Sequence, residues 1–372
     1  MSAKRILLMY ISEVSGHRQA ICAIEKSLKA VDPSVEMMSI NGFGYTYPKM
    51  EKIINTAYMG IIKKTPKIWG YLYDNPKVAK RIQSLRKAIY KANHGKFDKL
   101  FAQFRPDVVV CSQAFPCGMV ADYKQSCKLP VKVVGVLTDY APHSYWIHEG
   151  VDDYVVPSKE TGDALVKKGV LQERVKVLGI PVDAKFSIPL DKARIAQELG
   201  LHLDTPVIFM MGGGQGLGPI KDVAQSLVDM AVDLQIIVVT GTNKKLNTWL
   251  KKIQQKSAKK ILVFEYVQNI EELMEIATLI VTKPGGMTTT EALTKGLPMV
   301  IVNPIPGQEA YNAEFLLSQG VAIRVDDVKC IGEDIERLLK DSARLERMRS
   351  AALANSKPNS SLDIARLILQ NG

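Results

Sequence analysis

Residues 282–293 read Thr282-Lys283-Pro284-Gly285-Gly286-Met287-Thr288-Thr289-Thr290-Glu291-Ala292-Leu293 and follow a short apolar run at 279–282. Pro284 and the two glycines turn the chain. The threonines then start a helix whose unpaired N–H groups and positive dipole end suit a diphosphate. Strand, glycine turn and helix in that order are the repeating unit of a parallel α/β sheet. Glu291, one turn further in, can accept hydrogen bonds from a ribose diol. Thr288 and Glu291 also fit a capping box, Thr-x-x-Glu, which needs no ligand, but capping alone does not call for a bare backbone at Gly285 and Gly286.

The same alternation extends outward in both directions. Apolar runs at 207–211, 235–240, 261–264, 298–302 and 321–325 alternate with helical stretches around this segment, and an earlier series lies at 6–10, 108–111, 131–137, 153–156 and 175–178. Two such series predict two doubly wound, Rossmann-like α/β domains, as a chain of 372 residues allows. Glycine and proline at Gly179-Ile180-Pro181 end the first series. The expected division is an N-terminal domain over 1–184, a C-terminal domain over 185–356 and a terminal amphipathic helix within 357–372.

In open α/β sheets ligands sit beyond the carboxyl ends of the strands, so the loops there hold the candidate chemistry. After the first strand comes Ser15-Gly16-His17-Arg18, ahead of a helix expected over 19–30. His17 stands where an imidazole can take a proton from an acceptor hydroxyl, though a histidine there can also merely cap the helix. After the strand at 207–211 comes Gly212-Gly213-Gly214-Gln215-Gly216-Leu217-Gly218, a loop able to face a pyrophosphate. The next strand ends in Thr240-Gly241-Thr242, without the acidic residue an NAD ribose requires, which disfavours an oxidoreductase. Beyond 298–302, Gln308 and Glu309 follow a loop stiffened by Pro304 and Pro306 and offer the mixed donors and acceptors that sugar hydroxyls need.

Composition bounds the function further. Apolar residues make up 47% of the chain and charged residues 23%, which excludes a disordered protein. The five cysteines form no Cys-x-x-Cys pair, so a reduced, cytoplasmic setting without zinc is expected. The net charge of +11 is localised: residues 41–104 hold 13 Lys+Arg against 3 Asp+Glu, the remainder 36 against 35. Within that stretch Lys63, Lys64, Lys67 and Trp69 lie among tyrosines and isoleucines, a pattern that suits the surface of an anionic phospholipid membrane. The alternative is a packed amphipathic helix with a solvated lysine face. No nucleic-acid module matches the spacing. No run of 18 uncharged apolar residues occurs, so membrane association should be peripheral, at the cytoplasmic face.

Together these loops resemble those of the monogalactosyldiacylglycerol synthase and processive diacylglycerol glucosyltransferase family, glycosyltransferase family 28. Also similar is Thr138-Asp139-Tyr140-Ala141-Pro142-His143-Ser144-Tyr145-Trp146-Ile147-His148, which looks like the family's Thr-Asp…His…Trp-x-His segment. The resemblance implies a GT-B fold: two Rossmann-like doubly wound domains facing across a cleft, with a terminal helix that crosses back. It implies transfer of glucose or galactose from UDP-glucose or UDP-galactose to diacylglycerol with inversion. His17 would be the base. Gly213, Gly214, Gln215, Gly285, Gly286, Met287 and Thr288 would hold the diphosphate, Val267 the uracil, Glu291 the ribose, and Gln308 with Glu309 the hexose. Gly16, Asp139, His143, Trp146 and His148 would line the acceptor or membrane side. The first loop departs from many relatives, reading Glu13-Val14-Ser15-Gly16-His17 in place of consecutive glycines. No Asp-x-Asp pair occurs, so no metal or other cofactor is expected. The alternatives are a transferase acting on another lipid, such as a polyprenyl-diphosphate wall precursor, and a non-catalytic sugar-nucleotide or lipid-binding module.

Overall fold

In the first strand, β1 (Arg5–Tyr10), every residue from Ile6 to Tyr10 is buried, and side chains one step apart enter different cores. Leu7 and Met9 pack with Val109, Cys111, Trp146 and Tyr154. Ile6 and Leu8 pack with Val108, Val110 and the helix residues Ile21, Ile24 and Leu28. A strand covered on both faces must be apolar throughout, which is why the run is continuous rather than alternating.

The computed structural model describes residues 3–46 and 95–370; Lys63, Lys64, Lys67 and Trp69 lie outside the described residues. Two six-stranded sheets form, and every pairing in them is parallel. The first contains β1, β2 (Glu36–Asn41), β3 (Val108–Cys111), β4 (Lys132–Val136), β5 (Asp153–Val156) and β6 (Val175–Val177), in the order β2-β1-β3-β4-β5-β6. The second contains β7 (Val207–Met211), β8 (Gln235–Val239), β9 (Ile261–Phe264), β10 (Leu279–Thr282), β11 (Met299–Val302) and β12 (Ala322–Val325), in the order β12-β11-β10-β7-β8-β9. β2 is absent from the runs read in the sequence. As an edge strand it is only half-buried, and Glu-Met-Met-Ser-Ile-Asn has a single β-branched residue.

The strand orders locate the sites. From β1 the chain goes to β2 on one side and then to β3 on the other, and from β7 it reaches β8 and β9 before returning to β10 on the opposite flank. Helices leave such a pair of strands on opposite faces and open a crevice at their carboxyl ends. The crevices therefore lie beyond β1/β3 and beyond β7/β10.

The chain forms two compact units. The first comprises Met1–Ala184, Ile305–Gln308 and Asn359–Gly372, the second Lys185–Pro304 and Glu309–Pro358. The helix Ser360–Gln370 belongs to the first unit, where Ile364, Ala365 and Ile368 are fully buried in the core beside Ile21 and Ile24. Its first turn is fastened there by two hydroxyls, Ser360 donating to the Ile180 carbonyl at 2.8 Å and Ser361 to that of Val182.

Candidate active site

His17 occupies the first crevice. The helix Gly16–Val31 starts three residues earlier than the sequence suggested, because the Ser15 hydroxyl accepts the Arg18 N–H at 3.2 Å and caps the helix there. His17 thus lies in the first helical turn, and Gly16 beside it is exposed. Its Nδ1 is 2.7 Å from the Ser112 carbonyl oxygen, just past β3, and 3.2 Å from Thr138 Oγ1, just past β4. A carbonyl can only accept, so Nδ1 carries the proton and Nε2 is left with its lone pair, the state a general base needs. Desolvation by the surrounding protein lowers the imidazole pKa to about 4, against the smaller upward pull of the Ser112 carbonyl. The Ser112 hydroxyl in turn donates to the His17 carbonyl at 3.0 Å and ties the helix start to the strand end. Neither Ser112 nor Thr138 was a sequence candidate. Ser112 meets the imidazole through its main-chain carbonyl, which no side-chain pattern reveals.

The segment after β4 divides. Asp139 and His143 are partly buried, and the His143 ring stacks on Trp146 at 6.2 Å between centroids. Trp146 is only 5% exposed and packs against Gly135 and Tyr154. His148 is also buried, its main chain bracketed by the Tyr154 hydroxyl, which accepts from His148 N–H and donates to its carbonyl. Trp146 and His148 are thus both buried side chains of the first unit. An indole with this much apolar area is worth more in the core.

In the second unit the loops after β7 and β10 stand side by side, since Met211 and Thr282 are register partners and the Thr282 hydroxyl donates to the Met211 carbonyl at 2.7 Å. The helix Gly286–Thr294 begins at Gly286, with Gly285 as N-cap and no side-chain cap. Thr288 is therefore already inside the helix, and the capping-box reading fails. The first three amides, of Gly286, Met287 and Thr288, have no partner within the helix. Gly285 has φ −70°. A Cβ placed on it would meet nothing within 4 Å. Gly213, at the tip of the neighbouring loop, faces similarly open space, and Gly214 and Gln215 are exposed.

Other glycines of this region are demanded by the fold. Gly216 has φ +57°, and a Cβ there would lie 2.2 Å from the Thr240 carbonyl oxygen; one on Gly241 would lie 2.2 Å from that of Gly214. The loops after β7 and β8 interlock backbone to backbone.

Glu309, at the start of the helix Gln308–Ser318, is 7% exposed and receives a hydrogen bond from Lys283 Nζ at 2.8 Å. Asn312, fully buried, donates its amide to the Pro284 carbonyl at 2.9 Å and clamps the glycine turn. Lys283 and the clamping role of Asn312 were not foreseen. Gln308 is partly buried, as is Glu291, one turn into its helix. Val267 lies three residues past the end of β9, the edge strand of the second sheet next to β8. Among the described residues no group of three His, Cys, Asp or Glu is placed to hold a metal ion.

Two parallel sheets, each with a polar loop cluster at its switch point, are the GT-B architecture. The structure of Acinetobacter baumannii MurG superposes with a TM-score of 0.67, at 15% identity over 99% of both chains. Anabaena Alr3699/HepE in complex with UDP-glucose gives 0.57, at 15% identity over 99% of this chain and 100% of that one. At the level of sequence, the monogalactosyldiacylglycerol (MGDG) synthase family matches residues 17–182 and the glycosyltransferase family 28 C-terminal domain matches 207–367. The processive diacylglycerol beta-glucosyltransferase of Bacillus licheniformis is 32% identical over 95% of this chain and 92% of its own. That of Bacillus cytotoxicus is 28% identical over 98% and 93%. The chain belongs to this family of diacylglycerol glycosyltransferases.

Proposed function

We propose that the chain transfers glucose from UDP-glucose to the free hydroxyl of diacylglycerol with inversion at C1, at the cytoplasmic face of an anionic membrane. The observation that carries the donor half is Gly285: its dihedral and surroundings would accept a side chain, so a bare backbone at a helix start answers to a ligand that must come close. A diphosphate is the ligand that suits uncapped amides at a switch point, with Gly213 and Gly214 on its other side. Glu291 would take the ribose, Val267 the uracil, Gln308 and Glu309 the hexose.

His17 would take the acceptor proton on Nε2 as the oxygen bonds to C1, and the C1–oxygen bond to UDP breaks with its electron pair leaving on the diphosphate. The leaving charge would be met by the amides of Gly286, Met287 and Thr288 without a metal. Glucose is favoured over galactose by the relatives, which are named as glucosyltransferases. Peripheral attachment is supported by the basic stretch at 41–104 and by the absence, among the described residues, of a helix long and apolar enough to span a bilayer.

The test is a product assay with diacylglycerol in anionic vesicles, UDP-glucose or UDP-galactose in separate reactions, and EDTA throughout. A β-linked glucolipid in the first reaction supports sugar, acceptor, stereochemistry and metal independence together. Failure of both reactions while UDP still binds moves the acceptor to another lipid. Replacing Lys63, Lys64 and Lys67 by Glu should release the protein from anionic vesicles in co-sedimentation; unchanged binding rules the basic stretch out as the anchor.

A further inference from the structure

We infer that the helix Lys244–Lys256 of the second unit carries a contact surface for an anionic membrane, separate from the basic stretch at 41–104. This extends the reading of a protein that works at a charged bilayer, and it stands on different residues. Outside 41–104 the charges balance, 36 Lys+Arg against 35 Asp+Glu, but residues 234–264 hold seven lysines and no Asp or Glu. The helix buries Leu246, Asn247 and Leu250 on one side. At 3.6 residues per turn its other side, an arc of roughly 140°, takes in Lys244, Lys245, Lys251, Lys252 and Lys256 with only Thr248 and Gln255 between them. All five lysines are exposed, and none makes an ion pair among the described residues. Folding alone does not account for this face. Lys244 and Lys245 stand in the first turn, at the positive end of the helix dipole, with no acidic residue there to offset them. Lys252 and Lys256 are one turn apart, a like-charge spacing that weakens a helix. On three other helices exposed cations are answered four residues away: Lys159 by Asp163, Arg194 by Glu198, Arg337 by Glu333 and Lys340 by Glu336. A face that opposes its own helix at these positions calls for an anion from outside. Diacylglycerol resides in a bilayer, so a sheet of anionic headgroups is the polyanion that a transferase of this family meets. Trp249 flanks the lysines, half-buried, with Lys221 Nζ 5.4 Å from its ring centroid. An indole at the rim of a cationic face suits the headgroup level.

The experiment measures co-sedimentation of the full-length protein with vesicles of mixed phosphatidylglycerol and phosphatidylcholine, and with phosphatidylcholine alone. It compares wild type, the triple variant Lys251→Gln/Lys252→Gln/Lys256→Gln and the triple variant Lys63→Glu/Lys64→Glu/Lys67→Glu, with UDP affinity and Tm as folding controls. The glutamine variant should bind the mixed vesicles about a hundredfold more weakly, at about fivefold per lysine. Its UDP affinity should be unchanged and its Tm equal to or above that of wild type. Unchanged vesicle affinity overturns the inference. A lower Tm also overturns it, by showing that the lysines serve the fold. A single-stranded oligonucleotide, tested in the same way, covers the other polyanion: loss of oligonucleotide binding with vesicle binding intact overturns the membrane assignment. The two triple variants separate this inference from the earlier one. If only the glutamine variant leaves the vesicles, the helix is the anchor and the stretch at 41–104 is not; if only the Lys63, Lys64 and Lys67 variant does, this inference fails while that anchor stands.

Discussion

With Nδ1 donating to the Ser112 carbonyl, His17 cannot turn its ring without stranding a buried acceptor, and desolvation holds its pKa near 4. Two pH effects follow. First, the imidazole is neutral at physiological pH, so the acid limb of kcat/KM should fall near 4 rather than near the usual histidine value of about 6.5. A pH–rate profile checks this, and an inflection near 6.5 would show that the ring is solvated in the working enzyme. Second, the unfolded chain binds this proton at higher pH than the folded one. The contribution to stability is therefore fully present above about 6.5 and is lost as pH falls through 4. His17→Gln should flatten stability across that window. His17→Ala should abolish transfer while leaving UDP binding intact, and appreciable turnover by that variant assigns the base elsewhere. His17 itself was legible in the sequence as a histidine after a strand. Its partners were not, because one is a main-chain carbonyl and the other a threonine 121 residues away.

Glycines in the two switch-point loops divide into those required by the backbone and those left open. Gly216→Ala forces a Cβ against the Thr240 carbonyl at a left-handed dihedral, and should cost about 2 kcal/mol or more, read as a lower Tm together with weaker UDP binding. Gly285→Ala should change stability by about 1 kcal/mol or less while weakening UDP binding about tenfold or more. Equal UDP affinity in Gly285→Ala would remove the diphosphate from that helix start. The sequence distinguished these elements unevenly. Both glycine loops and eleven strands stood out, because buried parallel strands are continuously apolar and their turns need glycine. β2 did not, since at an edge a half-buried strand can be built from methionine and serine. The Lys283–Glu309 pair was invisible for another reason: a lysine in a loop gives no sign of a carboxylate 26 residues on.

The first unit is discontinuous, with Asn359–Gly372 joining Met1–Ala184 across the intervening second unit. Ile364 and Ile368 are fully buried in it, each worth about 1.5–3 kcal/mol, a sizeable part of the roughly 5–15 kcal/mol that holds a domain folded. Deleting residues 359–372 should therefore unfold or loosen the first unit, with His17 losing its ordered environment, while the second unit still binds UDP. Hydrogen exchange on the truncated chain would check this, and full protection of the helix Gly16–Val31 in it would contradict the estimate. The arrangement also sets an order of events during translation. Everything in the second unit leaves the ribosome before the helix that closes over Ile21 and Ile24. The unit synthesised first is thus the one finished last: its apolar face stays uncovered on the nascent chain, for a chaperone to shield, while the downstream unit can already be complete.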